Sequence, residues 1–352
     1  MGDDARSVRW GVLGCARIAA TALIPGIQGS INGRVLAIAS RDPEKARESA
    51  RTFEIPRPYG SYGELLDDPL VQAVYVPLPN SMHKEWTIKA AAKGKHVLCE
   101  KPIACSAADA REMAGACREH GVLLMEAFAH RFNPQYAKVR EWIRQGRIGR
   151  ILRISASMSR SIYPDENIRM NPGLGGGALM DLGCYCINTA RHLVGSEPVT
   201  VSARQDVGGT GVDERTTGSL VFPGGEVLQF DTNLYLEDRH FEQGLTVFGE
   251  KGNIHVHNAF TQLELLRFGR LAETTVTLTD TGLTASKNYC YAVAAYDASG
   301  NMSAQCNQLC ATTQAAPPPV PPATPTNVTA TALSSTQIDL SWDKVSNAVS
   351  YI

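Results

Sequence analysis

The sequence predicts an α/β domain with a doubly wound parallel sheet, then an α+β domain on a mostly antiparallel sheet, then an all-β tail. Three observations lead there. In residues 1–128 short apolar runs alternate with helical stretches, the pattern of right-handed βαβ crossovers. From Ile151 the texture changes to alternating or β-branched runs separated by Gly and Pro turns. Beyond residue 270 the runs alternate in the manner of a β-sandwich, and a proline-rich stretch, 317–322, interrupts them.

The totals are consistent with this. A chain of 352 residues has room for two or three domains, and its formal net charge of −1 gives no electrostatic case for nucleic acid or an anionic membrane. No apolar run approaches the roughly 18 residues of a membrane span. The start, Met1 to Arg6, is polar and runs straight into a strand, so a cytoplasmic location is expected. Cys15, Cys99, Cys105, Cys117, Cys184 and Cys186 show no paired-ligand spacing for zinc, so no metal site is expected and they are read as packing residues in a reducing compartment. Three more, Cys290, Cys306 and Cys310, lie in the tail.

The first strand, 8–14, ends in Gly14-Cys15-Ala16-Arg17-Ile18-Ala19, a softened G-x-A-x-x-A dinucleotide fingerprint. Gly14 permits the tight turn, and small Ala16 lets a pyrophosphate approach a helix amino terminus. The second strand, 35–40, ends at Ser40-Arg41-Asp42. Where NAD enzymes place an acid for the ribose hydroxyls, Arg41 offers a cation for a 2′-phosphate, so NADP is expected, with NAD as the other candidate. Asp42 and Pro43 are the N-cap and first residue of a helix over 43–53. A third strand, 73–77, leads through Leu78-Pro79-Asn80-Ser81-Met82-His83 into a helix over 81–93.

The chain is organised around the next strand, His96-Val97-Leu98-Cys99, which ends in Glu100-Lys101-Pro102. Ligands of open α/β sheets bind beyond the carboxyl ends of the strands, which aims Lys101 into the crevice, and the X-Pro bond can adopt cis. A helix over 107–120 and a strand over 122–128 complete the domain. In the second half one helix is clear, from Gly175-Gly176-Gly177 to Leu193. Asp181 and Tyr185 are four apart on it, hence on one face. Strands are expected at 199–206, 216–222, 226–234, 245–249 and 253–257.

GVLGCARIA, ASRD, VYVPLPNSMH, HVLCEKP, EAFAHRFNPQ, NIRMNPGLGGGALMDLGCYCIN and VFGEKGNIHVHNAF occur in that order between about residues 8 and 260. Together they resemble the Gfo/Idh/MocA oxidoreductases. The Asp-to-Tyr spacing is most similar to the branch of dihydrodiol dehydrogenases, NADP-dependent xylose dehydrogenases and glucose–fructose oxidoreductase. The resemblance implies a small-molecule sugar or vicinal diol as substrate and hydride transfer to or from a nicotinamide. It makes Lys101 and Tyr185 the catalytic pair with Asp181 orienting them. Arg131 and Arg169, with Asp181 and Tyr185, would line the substrate pocket. Gly14, Ala16, Arg17, Ile18, Ser40, Arg41, Pro77, Leu78, Asn80, His83, Glu100 and Lys101 would bind the cofactor. His130 and Asn133 depart from the tyrosine and histidine of many relatives. Tyr185, with an ordinary pKa near 10, would be drawn down by the Lys101 ammonium. A homodimer through the substrate-domain sheet is a further expectation.

After Asn258 the further sheet and closing helix of such a family are not found in the sequence. Residues 271–316 instead resemble the second half of a fibronectin type III module, with Tyr289 as corner tyrosine and Tyr291 and Val293 inward. Residues 317–325 read as a stiff proline-rich linker, and 326–352, through Trp342, as the first part of another module. The two fragments would pair, with Trp342 against Tyr291 and Val293, and with Cys290 and Cys310 on neighbouring strands. The expected domains are therefore 1–128, 129–270, 271–316, 317–325 and 326–352. Two competing readings follow from the tail: a catalytically dead dinucleotide-binding remnant of a fused or truncated gene, and an extracellular interaction protein acting through the fibronectin-like part.

Overall fold

The computed structural model describes residues 7–161, 167–234, 241–257, 259, 265–270, 273–278, 286, 288–291, 309–312, 329–334 and 337–341. The chain divides into two compact units, 1–279 and 280–352.

The first unit opens with six parallel strands, β1 (Val8–Leu13), β2 (Gly33–Ala39), β3 (Arg57–Tyr59), β4 (Ala73–Val76), β5 (His96–Cys99) and β6 (Leu124–Glu126). Their order is β3-β2-β1-β4-β5-β6. The direction of winding reverses between β1 and β4, which places the ligand crevice beyond the ends of β1, β4 and β5. Val12, Leu13, Ala37, Ile38, Val74 and Tyr75 are buried along the central strands, so these read as continuous apolar runs.

Helices α1 (Ile24–Gln28), α2 (Pro43–Thr52), α3 (Tyr62–Asp67), α4 (His83–Ala92) and α5 (Ala107–Glu119) cover the sheet. Asp42 caps α2 by accepting from the Glu44 and Lys45 amides, with Pro43 in the first turn, as expected. The sequence reading passed over β3 and α3, although Ser61 and Glu64 form a reciprocal capping box at the start of α3. Both are too short for periodicity to reveal.

The second domain adds α6 (Pro134–Arg144), β7 (Ile151–Arg160), a wide π-helical turn (Leu179–Gly183) running into α7 (Cys184–Val194), and seven further strands. These are β8 (Thr200–Val207), β9 (Asp213–Val221), β10 (Val227–Asn233), β11 (Phe241–Gly249), β12 (Asn253–His257), β13 (Leu265–Arg270) and β14 (Glu273–Leu278). The sheet order is β14-β13-β12-β11-β7-β10-β9-β8. Every pairing is antiparallel except β10 with β7, so the sheet is mixed. Ile154, Ala156 and Met158 alternate inward along β7 and join Leu182, Cys186, Ala190 and Leu193 of the helix in one core. One expectation is corrected here: the sheet does continue past Asn258, through β13 and β14. β7 supplies a central strand for which the sequence reading gives no bounds.

In the second unit β15 (Asn288–Tyr291) pairs with β16 (Leu309–Thr312), and β17 (Thr329–Ser334) with β18 (Gln337–Ser341). Cys290 lies opposite Cys310 in the first pair. A fibronectin sandwich is not shown: among the described residues these are two separate two-stranded sheets. The linker 317–325, Val293 and Trp342 lie outside the described residues. Among those described, no helix is long and apolar enough to cross a membrane.

Candidate active site

At the end of β1 the chain turns at Gly14, whose φ is +111° and whose amide donates to the Ala39 carbonyl at 2.8 Å. A side chain there would be strained, and its Cβ would press to 3.1 Å from Leu78. Glycine therefore lets the turn lie directly on the loop after β4. Ala16 follows half-buried, and Arg17 and Ile18 are exposed beside a π-helical turn, Ala19–Leu23. Ser40 is buried and its hydroxyl accepts from the Asp42 amide at 3.1 Å, shaping the turn that presents exposed Arg41. Arg41 stands beside the Tyr62 hydroxyl, which burial pushes up and that guanidinium draws back. Pro77 and Leu78 are buried below the turn.

His83 has no exposed surface, and its Nδ1 and Nε2 lie 2.9 and 2.8 Å from the carbonyls of Pro102 and Leu78. Burial favours the neutral ring, whose single N–H donates to one of these carbonyls while the other faces the second ring nitrogen, so both sides of the ring are enclosed by protein. This corrects the expectation that His83 touches a ligand: it braces the Leu78 loop against the Lys101-Pro102 turn, whose peptide bond is cis. Glu100 is likewise occupied, accepting from the Tyr75 hydroxyl at 2.5 Å and the Lys101 amide at 3.2 Å.

Lys101 leaves the end of β5 and crosses to the second domain. Its Nζ donates to the Asp181 carbonyl at 2.7 Å and to Asp181 Oδ1 at 2.8 Å. Arg169 Nε donates to the other oxygen, Oδ2, at 2.7 Å. The Lys101 and Asp181 side chains are only 11% and 9% exposed. Burial opposes ionisation of Asp181, but the Lys101 and Arg169 cations outweigh it and hold its carboxyl well below the usual carboxylate range. Burial also opposes the Lys101 ammonium, and Asp181 again outweighs it, keeping the lysine charged.

The same ammonium stands 4.9 Å from the centre of the Tyr185 ring. Here the electrostatics run against the sequence expectation. Burial pushes the Tyr185 hydroxyl up to about 12, and Lys101 only partly offsets it. Tyr185 is packed edge-on against Phe128 at 5.4 Å and lies 5.3 Å from His130. Burial first, then Arg131 and His192, pull His130 down to about 3, so that ring is neutral. Asn133 proves to be the cap of α6, accepting from the Gln135 amide.

The run Gly175-Gly176-Gly177 has a steric purpose. Gly177, at φ +111°, donates its amide to the Arg169 carbonyl at 2.8 Å. A Cβ on Gly176 would overlap that carbonyl, and one on Gly177 would overlap the Asp213 carboxylate. Without side chains, the Arg169 loop folds onto the start of the helix and delivers Arg169 to Asp181. Asp213, from the first position of β9, accepts from the Leu179 amide at 2.7 Å and the Thr216 hydroxyl at 2.5 Å, capping the π-helical turn that contains Asp181. Sequence reasoning missed Asp213, because the contact spans 34 residues and leaves no local signal. It also missed Arg160, which ends β7 and stands in the electrostatic field of Asp181, Arg169, Arg17 and Tyr185. Arg131 is not brought to this cluster; it is exposed and bonds His192 Nδ1 at 3.0 Å, two turns along α7 from Tyr185.

Comparison with known proteins gives a match over residues 8–128 to a family described as "Oxidoreductase family, NAD-binding Rossmann fold". Residues 136–255 match the "GFO/IDH/MocA C-terminal domain". The chain is 36% identical to a D-xylose 1-dehydrogenase (NADP(+)) of Haloferax volcanii, over 68% of this chain and 74% of that one. It is 37% identical to a trans-1,2-dihydrobenzene-1,2-diol dehydrogenase of Xenopus laevis, over 62% and 66%. Among solved structures it resembles a 3-ketoreductase from Actinomadura kijaniata in complex with NADP and TDP-benzene, with a TM-score of 0.71, 31% identity, and 77% and 84% of the two chains covered.

Proposed function

The chain belongs to the Gfo/Idh/MocA family of NAD(P)-dependent oxidoreductases acting on CH–OH groups, and from that premise we propose that it interconverts a sugar or vicinal diol with its ketone or lactone using NADP(H). The observation that supports this most directly is the meeting of Lys101, Asp181 and Tyr185 beyond the end of β5, beside the point where the sheet reverses.

The residues present fit a dinucleotide. The Gly14 turn leaves β1 without a side chain, Ala16 is small, and Arg41 stands exposed at the end of β2 with no carboxylate in the preceding position. Gly14, Ala16, Arg17 and Ile18 would hold the pyrophosphate, with Ser40 and Arg41 at the 2′-phosphate. When bound, the nicotinamide supplies or accepts the hydride. Tyr185 keeps its proton at neutral pH, which suits it to protonate the carbonyl oxygen in the reductive direction. Lys101, charged and fixed by Asp181, stabilises the developing oxyanion. Arg169 holds Asp181 from the other side. Against the dead-remnant alternative, Lys101, Asp181 and Arg169 are joined by hydrogen bonds and the Lys101 ammonium stands 4.9 Å from the Tyr185 ring, an arrangement that supports the active reading. A panel of aldoses, vicinal diols and the matching ketones, read by nicotinamide absorbance with NADP(H) and NAD(H), tests the proposal. Binding of NADPH without turnover of any member would favour the remnant.

A further inference from the structure

We propose that Asn80 is a positioning residue that registers the cofactor-side turn against the start of the helix carrying Asp181 and Tyr185. Its Nδ2 donates to the Gly175 carbonyl at 2.7 Å, joining the two domains across 95 residues of sequence. One N–H of that amide is therefore held by protein, whereas the family resemblance would place Asn80 on the cofactor ribose. The seam around it is closed. A Cβ on Gly175, where φ is +76°, would stand 3.0 Å from Asn80 Cβ and 2.6 Å from Cys105 Sγ.

Beyond Gly175 there is little slack before the reacting groups. The Gly177 amide is tied to Arg169 and the Leu179 amide to Asp213, and Asp181 follows on the same turn. Lys101 on Asp181 and the Phe128 ring set edge-on to Tyr185 also join the domains beside the reacting groups. Asn80 adds an attachment at the start of the helix, ahead of both, so it fixes how Tyr185 and Lys101 face the crevice rather than how tightly a ligand enters it. Displacements of an ångström between reacting groups cost about 100-fold in rate.

The kinetic part of this inference rests on the oxidoreductase reading above; its exchange part does not. The variants are Asn80→Asp, which keeps the shape and loses the donor, and Asn80→Ala, which adds no charge. In both, the NADPH dissociation constant from fluorescence titration should stay within about threefold while kcat falls about 10–100-fold. The deuterium isotope effect from 4-deuterated NADPH should grow as hydride transfer becomes limiting. Hydrogen exchange of the Gly177 and Leu179 amides should accelerate. Loss of NADPH affinity by tenfold or more at unchanged kcat would make Asn80 a cofactor contact and overturn the inference. Unchanged exchange at 175–179 would overturn it too. A wild-type chain that binds NADPH and turns over no substrate removes the dehydrogenase reading, and the exchange measurement then decides the role of Asn80 alone.

Discussion

Replacing Asp181 by Asn tests the centre of the site most severely. The substitution keeps the shape and removes the charge that two cations share, Lys101 at 2.8 Å and Arg169 at 2.7 Å. Hydrogen bonds to charged groups contribute about 1.5–3 kcal/mol each. The Lys101 pair is nearly enclosed, but the Arg169 side chain is 32% exposed, so solvent screens its share. Removing one member of a buried pair costs about 3–5 kcal/mol because the partner charge stays buried. Asn retains one acceptor oxygen, so the expected loss is about 3 kcal/mol. The folded-state pKa of Asp181 is depressed, so its contribution is present above the unfolded carboxyl pKa and declines as pH falls through the lower folded value. Urea unfolding of wild type and Asp181→Asn at pH 7 and pH 3 is the assay. The difference should be largest at pH 7 and smaller in acid. Lys101 should also lose the support that keeps it charged, so the pH–rate profile of the variant should fall in the alkaline range where the wild type does not. A stability difference below about 1 kcal/mol at pH 7 would place the pair among ion pairs whose desolvation cancels their attraction, and would refute the reasoning.

Three further outcomes are expected. Tyr185, raised to about 12, should make oxidation accelerate with rising pH up to the limit of enzyme stability while reduction stays flat, and Tyr185→Phe should lower turnover by about 10²–10⁴; a bell centred near pH 7 in stopped-flow assays would contradict this. Arg41→Ala should weaken NADPH by about 10–100-fold and leave NADH unchanged in fluorescence titration, and equal losses for both would remove Arg41 from the 2′-phosphate. Asp213→Ala strips the cap from the Leu179 amide and should cost about 1–2 kcal/mol in urea unfolding with a parallel loss of kcat, whereas unchanged kcat would show that the cap does not position Asp181.

What could be read from sequence follows the range of the interactions involved. The doubly wound sheet was legible because its strands are buried on both faces and its helices are capped locally, as Asp42 and Pro43 show for α2. A strand-end lysine and a pair four apart on a helix are local patterns that single out Lys101, Asp181 and Tyr185, but their shared role came from the family resemblance; the structure places Lys101 on Asp181 and beside the Tyr185 ring. β7 was passed over although Ile154, Ala156 and Met158 alternate with Arg153, Ser155 and Ser157, the pattern of a half-buried strand; its inward residues are too sparse to make an apolar run. The tail was over-read: alternation around Tyr289 and Ile338 predicts strands, and strands occur, but alternation does not say that two strand pairs build a sandwich.

The site adds a second lesson, about which residues touch ligand. His83, Glu100 and Asn80 lie in the stretches that the family resemblance assigns to the cofactor, and each makes hydrogen bonds to protein. Sequence position identifies the turn, not the direction in which a side chain is spent. The glycine run makes the same point in reverse. Gly176 and Gly177 carry no functional group, yet their missing side chains let Arg169 reach Asp181 and let Asp213 cap the turn. Charge on Lys101 then depends on Asp181, the placing of Asp181 depends on the glycines and Asp213, and the setting of that whole assembly against the cofactor turn depends on one amide of Asn80. The proposed chemistry would rest on two residues, Lys101 and Tyr185, but their geometry is distributed over both domains, and substitutions far from either should register first in kcat.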